Sequence, residues 1–135
     1  MISQTGKHAL HVLGYLAENP DKCISGQDIA KAIDVPANYL GKILNQLAKH
    51  GFVDSRKGWG GGFTIMESAM HRPISEVLDM IQGPTATQKK ECAFGLGECN
   101  DDQPCPLHVF YKPVRALYED MLKNVTIGQL SLKRK

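Results

Sequence analysis

Apolar residues recur at helical spacing in five stretches of the chain, at positions 3–19, 24–33, 36–50, 72–81 and 106–125. Helix-breaking or capping residues bound these stretches. Pro20 follows the first stretch, Ser25 with Asp28 resembles a capping box at the second, and Pro36 and Gly51 bound the third. The pattern therefore predicts a mainly α-helical chain.

The second and third predicted helices are separated only by Asp34-Val35-Pro36, and the second of the pair is longer. Two helices joined in this way are typical of a helix-turn-helix. Positions 52–66 then read as a strand, a glycine-rich turn and a second strand, which predicts a β-hairpin wing. We expect a winged helix-turn-helix over residues 1–82, followed by a long C-terminal dimerisation helix.

The outward face of the third predicted helix carries amides, ammonium groups and a bare backbone position. A polar face is usually only solvated, but the wing adds two adjacent cations that can hold phosphates or enter a minor groove. Trp59 at the tip either stacks on DNA or packs on its own wing. The candidate DNA contacts are Ser25, Gln27, Ala37, Asn38, Tyr39, Gly41, Lys42, Arg56, Lys57, Gly58 and Trp59.

The last helical stretch alternates apolar residues in steps of three and four, like a coiled-coil seam. The residues are Leu107, Phe110, Val114, Leu117, Met121 and Val125. A helix that exposes such a stripe needs a partner, so we expect a homodimer through residues 106–130; the alternative is a stripe packed on its own domain. Pro113 should kink this helix or divide it. Residues 131–135 form a basic tail.

Three of the four cysteines, Cys92, Cys99 and Cys105, lie with His108 within seventeen residues, and we expect a cysteine-containing loop over residues 83–105. Gaps of six and five residues fit a zinc knuckle poorly and leave room for a sulfide-bridged cluster. A close Cys-x-x-Cys pair, which a dithiol oxidoreductase needs, is absent. Pro106 is typical of a first helical turn, which would place Cys105 at a helix N-terminus. The plain alternative is a set of inert thiols.

The composition narrows the class of protein. The 135 residues are 42% hydrophobic, which suits one domain, and the net charge of +2 means that any DNA-binding footprint must be local. No secretion signal or long apolar run is present, so we expect a cytoplasmic protein with reduced thiols and no membrane contact. No paired acid and base, nucleophile motif or cofactor loop suggests an enzyme.

In its order of elements the chain resembles the Rrf2 family of bacterial transcription regulators over nearly its whole length. The most specific segments are positions 36–47, 51–63 and 124–130 and the sequence Cys105-Pro-Leu-His108. The resemblance implies that Cys92, Cys99 and Cys105 bind an iron-sulfur cluster, more often 2Fe-2S than 4Fe-4S. It also implies that the dimer binds a palindromic operator in double-stranded DNA.

The fourth ligand differs among members of this family. His108 matches the histidine that follows the third cysteine in some of them, whereas others use a residue of the first helix, the region of His8 and His11. The resemblance implies a regulator that senses iron-sulfur status, redox state or nitric oxide. The alternative function is a DNA-binding regulator that uses thiol oxidation or a bound metal without a cluster.

Overall fold

The computed structural model describes residues 2–83 and 92–130. These residues form five α-helices, two strands and two short 3-10 helices. In chain order they are α1 (Gln4–Glu18), α2 (Gly26–Ile33), α3 (Ala37–Lys49), β1 (Val53–Arg56), β2 (Gly62–Ile65), a 3-10 helix (Glu67–His71), α4 (Ile74–Gln82), α5 (His108–Asn124) and a second 3-10 helix (Ile127–Gln129). The predicted fold, mainly α with a small hairpin wing, is confirmed.

The first helices begin where the sequence places their caps. The Ser3 hydroxyl accepts a hydrogen bond from the Gly6 amide at 3.0 Å, and the Ser25 hydroxyl accepts one from the Asp28 amide at 3.1 Å. Helix α2 ends at Ile33 and is capped by Asp34, which has a left-handed backbone (φ 58°). The chain then turns into α3 within three residues, as expected for a helix-turn-helix.

Helix α3 ends in a Schellman motif. The Phe52 amide donates to the Leu47 carbonyl at 2.9 Å, the Gly51 amide donates to the Ala48 carbonyl at 3.3 Å, and Gly51 has φ 79°. Phe52 and Leu47 are both buried in the core. The motif therefore anchors the end of α3 to the interior.

Alanine substitutions at a glycine within α3 and at the glycine that follows it should change the free energy of unfolding in opposite directions. Gly51→Ala should lower the free energy of unfolding by about 1 kcal/mol, because alanine is strained at positive φ. Gly41→Ala should raise it by roughly 0.5–1 kcal/mol, because the position is inside α3 and a Cβ there meets no atom within 4 Å. Urea unfolding of the two variants tests this pair, and equal shifts would contradict it.

The wing pairs Val53 with Ile65 and Arg56 with Gly62 in antiparallel register. A further pairing ties the wing to the helix-turn-helix: Phe63 and Ile24 exchange backbone hydrogen bonds at 2.8 and 3.0 Å. At Gly62 any Cβ would collide with the Ile24 carbonyl, so only glycine permits this approach.

The buried core joins α1, α3 and α4 to the base of the wing. Leu13, Leu16, Leu40, Leu47 and Leu78 are almost wholly excluded from solvent. The end of α5 reaches this core through Leu122, and the final 3-10 helix reaches it through Ile127. The DNA-binding domain and the C-terminal segment thus share one interior.

Helix α5 differs from its prediction at both ends. It begins at His108, two residues after Pro106, and it ends at Asn124. Pro113 lies inside one unbroken helix, so of the two alternatives for this proline the division into two pieces is wrong. The residues that follow, within the predicted 106–130 segment, leave the helix because their backbone pairs with the start of α4: the Ile74 amide donates to the Val125 carbonyl at 2.9 Å.

The apolar stripe of α5 is exposed in the single chain. Phe110 is 79% exposed and Leu117 71% exposed, and Leu107, Val114 and Met121 are also open to solvent. The alternative of a stripe packed on its own domain is therefore wrong for these residues; Val125 alone packs partly on the core. Of the proposed cysteine loop 83–105, positions 84–91 lie outside the described residues, as does the tail 131–135.

No helix in the described part of the chain is both long and apolar enough to cross a membrane.

Candidate DNA interface and cysteine site

Helix α3 turns its polar face to solvent. Ala37, Asn38 and Lys42 are exposed, and Gly41 is half-buried with open space around its α-carbon. At the start of α2, Gln27 is exposed, while the half-buried Ser25 uses its hydroxyl oxygen as the cap acceptor. The Ser25 hydroxyl proton remains able to donate to a phosphate. Each of these predicted helix-turn-helix contacts is thus at least partly open to solvent.

Tyr39 has a different environment from the other candidates. Its hydroxyl lies 2.8 Å from His8 Nδ1 and 3.4 Å from the Thr5 hydroxyl, and the His8 and Tyr39 rings meet edge to face at 5.3 Å. The other nitrogen of His8 lies 3.1 Å from the Gln4 side-chain amide. Tyr39 therefore ties the beginning of α3 to α1, in addition to any contact with DNA.

The wing presents an open tip. Arg56, Lys57, Gly58 and Trp59 are all exposed, and the Arg56 side chain is only loosely paired with Asp54, at 3.8 Å. The Trp59 side chain is fully exposed and makes no anchor on its own hairpin. Of the two alternatives for Trp59, packing on the wing is wrong, and stacking on DNA stays a prediction.

The first cysteine lies in a tight turn. The Cys92 amide donates to the Gly97 carbonyl at 2.8 Å, and the Gly95 amide donates to the Cys92 carbonyl at 3.0 Å. Gly95 and Gly97 both have positive φ, as this fold-back requires. The Phe94 amide donates to the Cys92 sulfur at 3.4 Å. The backbone of the loop thus presents N–H donors to this thiol.

These donors lower the pKa of Cys92, first through the Leu96 amide and then through the Phe94 amide, with a further contribution from the Cys105 side chain. The Cys92 and Cys105 side chains therefore lie near each other. A thiolate held by amide donors is a better nucleophile near neutral pH and a readier metal ligand than an ordinary thiol.

Cys92 should be the first thiol to react in metal-free protein. The lowered pKa enlarges its thiolate fraction, and the thiolate is the attacking species. Limited iodoacetamide treatment at pH 7, followed by peptide mass spectrometry, should therefore find Cys92 alkylated ahead of Cys23, Cys99 and Cys105. Equal labelling of the four thiols would contradict the geometry of the turn.

The second cysteine pairs with the predicted fourth ligand. His108, which is buried, places Nδ1 3.2 Å from the Cys99 sulfur and Nε2 2.7 Å from Asp101 Oδ1. Lys112 donates to the same carboxylate oxygen at 3.0 Å. The Lys112 ammonium, and after it His108, lower the pKa of Asp101. The carboxylate therefore stays ionised and holds the imidazole with Nδ1 directed at sulfur.

Arg115 lies on the same side of α5, two turns beyond His108. Hydrogen bonding to Cys99 raises its pKa, and Glu119 lies 3.9 Å from its Nε. Its Nη1 is buried and has no hydrogen-bond partner among the described residues. Cys99 is thus bordered by the imidazole of His108 and by the guanidinium of Arg115.

The candidate ligands lie in two pairs rather than around one point. Within residues 2–83 and 92–130, no three Cys, His, Asp or Glu side chains converge closely enough to hold a single metal ion. Cys92 neighbours Cys105, whereas Cys99 neighbours His108. The ring nitrogens of His8 already face Tyr39 and Gln4, and burial followed by His8 lowers the pKa of His11.

The fold and the site define a DNA-binding regulator with a winged helix-turn-helix and a cysteine-containing segment beside its last helix. A sequence profile of the Rrf2 family, described as iron-dependent transcriptional regulators, matches residues 2–132. The chain belongs to this family. It is a transcription regulator that binds DNA. Its relatives are likewise transcriptional regulators and not enzymes.

Individual relatives agree with this assignment. The chain is 30% identical to an HTH-type transcriptional regulator of Aquifex aeolicus, over 96% of this chain and 90% of the relative. It is 25% identical to the transcriptional regulator IscR of Vibrio vulnificus, over 96% and 76% of the two chains. The structure of CymR, the global cysteine regulator of B. subtilis, superposes with a TM-score of 0.77 at 19% identity, covering 100% of this chain and 98% of that chain. The last likeness shows the fold alone.

Two residues of the site were absent from the sequence-based set. Asp101 orients His108, and Arg115 borders Cys99. Asp101 lies among three other polar residues of the same loop, so nothing in the local sequence distinguished it. Arg115 could have been suggested by its position seven residues after His108, which puts both on one face of a helix.

Proposed function

We propose that this regulator binds DNA as a homodimer and senses iron-sulfur status, redox state or nitric oxide through a cluster held by Cys92, Cys99, Cys105 and His108. A 2Fe-2S cluster is preferred to 4Fe-4S. The observation that carries the proposal is His108, whose Nδ1 faces the Cys99 sulfur while Nε2 is held by Asp101.

The orientation of His108 is the one that metal-binding histidines use. Such a histidine donates its second ring N–H to a carboxylate, which fixes the tautomer and makes the free nitrogen more basic. Asp101 occupies this role, and Lys112 keeps Asp101 ionised. Within the described part of the chain, no carboxylate orients His8 or His11 in this way, so we assign the fourth position to His108.

The donor set fits a two-iron cluster. Two iron atoms bridged by sulfide each take two protein ligands, and the chain offers Cys92 with Cys105 and Cys99 with His108 as neighbouring pairs. A single zinc ion would instead need four ligands around one centre. A bound cluster would supply iron chemistry that responds to oxidants and nitric oxide. Arg115 and the amides around Cys92 would stabilise the negative charge of the thiolates.

The site adjoins the start of α5. The His108 amide donates to the Cys105 carbonyl at 3.1 Å, so the last cysteine leads directly into the helix. Most residues between positions 92 and 107 are exposed to solvent. Their packing alone therefore holds this part of the chain only weakly in one conformation. Holding four ligands together would fix this path, and with it the direction in which the chain enters α5.

The exposed stripe of α5 supports the homodimer. Leu107, Phe110, Val114, Leu117 and Met121 lie in steps of three and four along the helix, and each is open to solvent in the single chain. A two-fold dimer would present two copies of α3 to successive major-groove faces, about 34 Å apart. A small change in the approach of α5 would then alter operator affinity.

The experiment combines cofactor analysis with DNA binding. Protein purified without oxygen should contain about two iron and two sulfide per chain and absorb visible light. Cys92→Ala, Cys99→Ala and Cys105→Ala should each lose this absorption and change affinity for an operator selected from random DNA. Cys23→Ala, a cysteine outside the loop, is the matched control. Unchanged colour and DNA affinity in all three loop variants would refute the proposal.

The alternative is a regulator that works by thiol oxidation or a bound metal without a cluster. It is favoured by the proximity of Cys92 and Cys105 and by the lowered pKa of Cys92, which suit oxidation by a peroxide. Anaerobic protein would then lack sulfide, and hydrogen peroxide would change operator affinity in the wild type but not in Cys92→Ala. The sulfide assay separates the two functions.

A further inference from the structure

Arg72 lies where the DNA-binding domain meets the end of α5. Its carbonyl accepts a hydrogen bond from the Ile127 amide at 3.0 Å, and two residues later the Ile74 amide donates to the Val125 carbonyl at 2.9 Å. Pro73 and Thr126 face each other between these bonds as an antiparallel bridge. The backbone of Arg72 is thereby joined to the segment that directly follows α5.

The side chain of Arg72 reaches in another direction, to the end of the recognition helix α3. Its Nη1 donates to the His50 carbonyl at 3.2 Å, and its guanidinium carbon lies 3.7 Å from the centre of the Phe52 ring. Glu76, one turn into α4, accepts a hydrogen bond from Arg72 Nε at 2.7 Å. One residue therefore contacts α3, α4 and the chain beyond α5.

The contacts with α3 are suited to the chemistry of a helix end. The last carbonyls of a helix lack partners within the helix and carry partial negative charge. The planar guanidinium of Arg72 satisfies the His50 carbonyl while it stacks on Phe52, the residue that completes the Schellman motif. An ammonium group can supply the charge but cannot combine stacking with a fork of donors.

We propose that Arg72 is a positioning residue that fixes the recognition helix relative to the end of α5 and so sets the separation of the two recognition helices in the dimer. The inference rests on the dimeric function proposed above. Tyr39 holds the other end of α3, where its hydroxyl contacts His8 and Thr5 of α1. Beside the shared core, Arg72 connects the end of α3 directly to the segment following the dimerisation helix.

The test measures how strictly the dimer reads the spacing of its half-sites. The series of operators has zero, one or two base pairs inserted between the half-sites. The affinity of the wild type should fall about tenfold with each inserted base pair. Arg72→Ala should flatten this dependence to about twofold, because α3 is then free to change its angle. Glu76→Gln, which leaves the Arg72 contacts with α3 in place, should keep the wild-type profile. Affinity for non-specific DNA should be unchanged throughout.

A second measurement needs no DNA. Amide hydrogen exchange at Gly51 and Phe52, which close α3, should become about tenfold faster in Arg72→Ala and stay normal in Glu76→Gln. If Arg72→Ala is too unstable for these assays, Arg72→Lys serves as the second variant. Lysine should restore neither the wild-type spacing dependence nor the wild-type exchange rate fully.

Wild-type spacing dependence and wild-type exchange in the Arg72 variants would overturn the inference. A wild-type protein without any preferred spacing would instead refute the dimeric function, and the exchange experiment would then decide the role of Arg72 by itself.

Discussion

Leu117→Asp should leave the protein folded but monomeric and should weaken its binding to a palindromic operator by about a hundredfold or more. Leu117 lies in the middle of the exposed stripe of α5 and is 71% exposed in the single chain, so aspartate disturbs no core contact. In a dimer the same position would be covered, and a carboxylate there would have to lose its water without gaining a partner. The second half-site would no longer be bound with high effective concentration.

Sedimentation velocity and operator titration measure the two consequences separately. Ala116→Asp is the matched control, because it introduces the same charge one residue away, at an exposed position turned about 100° from Leu117. This control should stay dimeric and bind the operator normally. Dimers of Leu117→Asp with full operator affinity would exclude the stripe as the interface.

The helices of the DNA-binding domain could be predicted because their information is local. Apolar spacing, the Ser25 cap, the break before α3 and the glycine at position 51 each act within a few residues, and each lies where the structure confirms it. The hairpin could likewise be predicted from its glycine-rich turn.

The pairings between distant segments could not be predicted in this way. Ile24 bonds to Phe63, and the start of α4 bonds to the chain after α5, across 39 and about fifty residues. A single residue pair of this kind leaves no periodic pattern in the sequence. The bonds between the start of α4 and the chain after α5 explain why α5 ends at Asn124 and does not continue towards position 130.

For the cysteine site, sequence supplied the candidate residues but not their partners. Spacing placed three thiols and His108 in one loop, whereas the pairing of Cys92 with Cys105 and of Cys99 with His108 depends on how that loop folds back. The role of Asp101 depends on the same fold-back, because it reaches His108 across seven residues. Irregular loops lack the repeating geometry from which such contacts could be inferred.

Substitution of His108 should best distinguish His108 from His8 and His11 as the fourth cluster ligand. With His108→Ala, anaerobic protein should lose its iron and sulfide more than about a hundred times faster than the wild type, because a ligand costs more to remove than the group that orients it. Asp101→Asn should cause a smaller loss, because it removes only the group that orients the imidazole. His8→Ala and His11→Ala, at the two alternative positions, should keep the wild-type cluster content.

His108→Cys tests the same assignment by a gain of charge instead of a loss. A fourth thiolate should retain the cluster and lower its reduction potential by on the order of 100 mV, because a thiolate brings more negative charge than a neutral imidazole. Visible absorption during anaerobic redox titration measures both quantities. A potential that is unchanged in His108→Cys, together with cluster loss in His8→Ala or His11→Ala, would move the fourth ligand to α1. Asp101 and Lys112 would then hold His108 for packing alone.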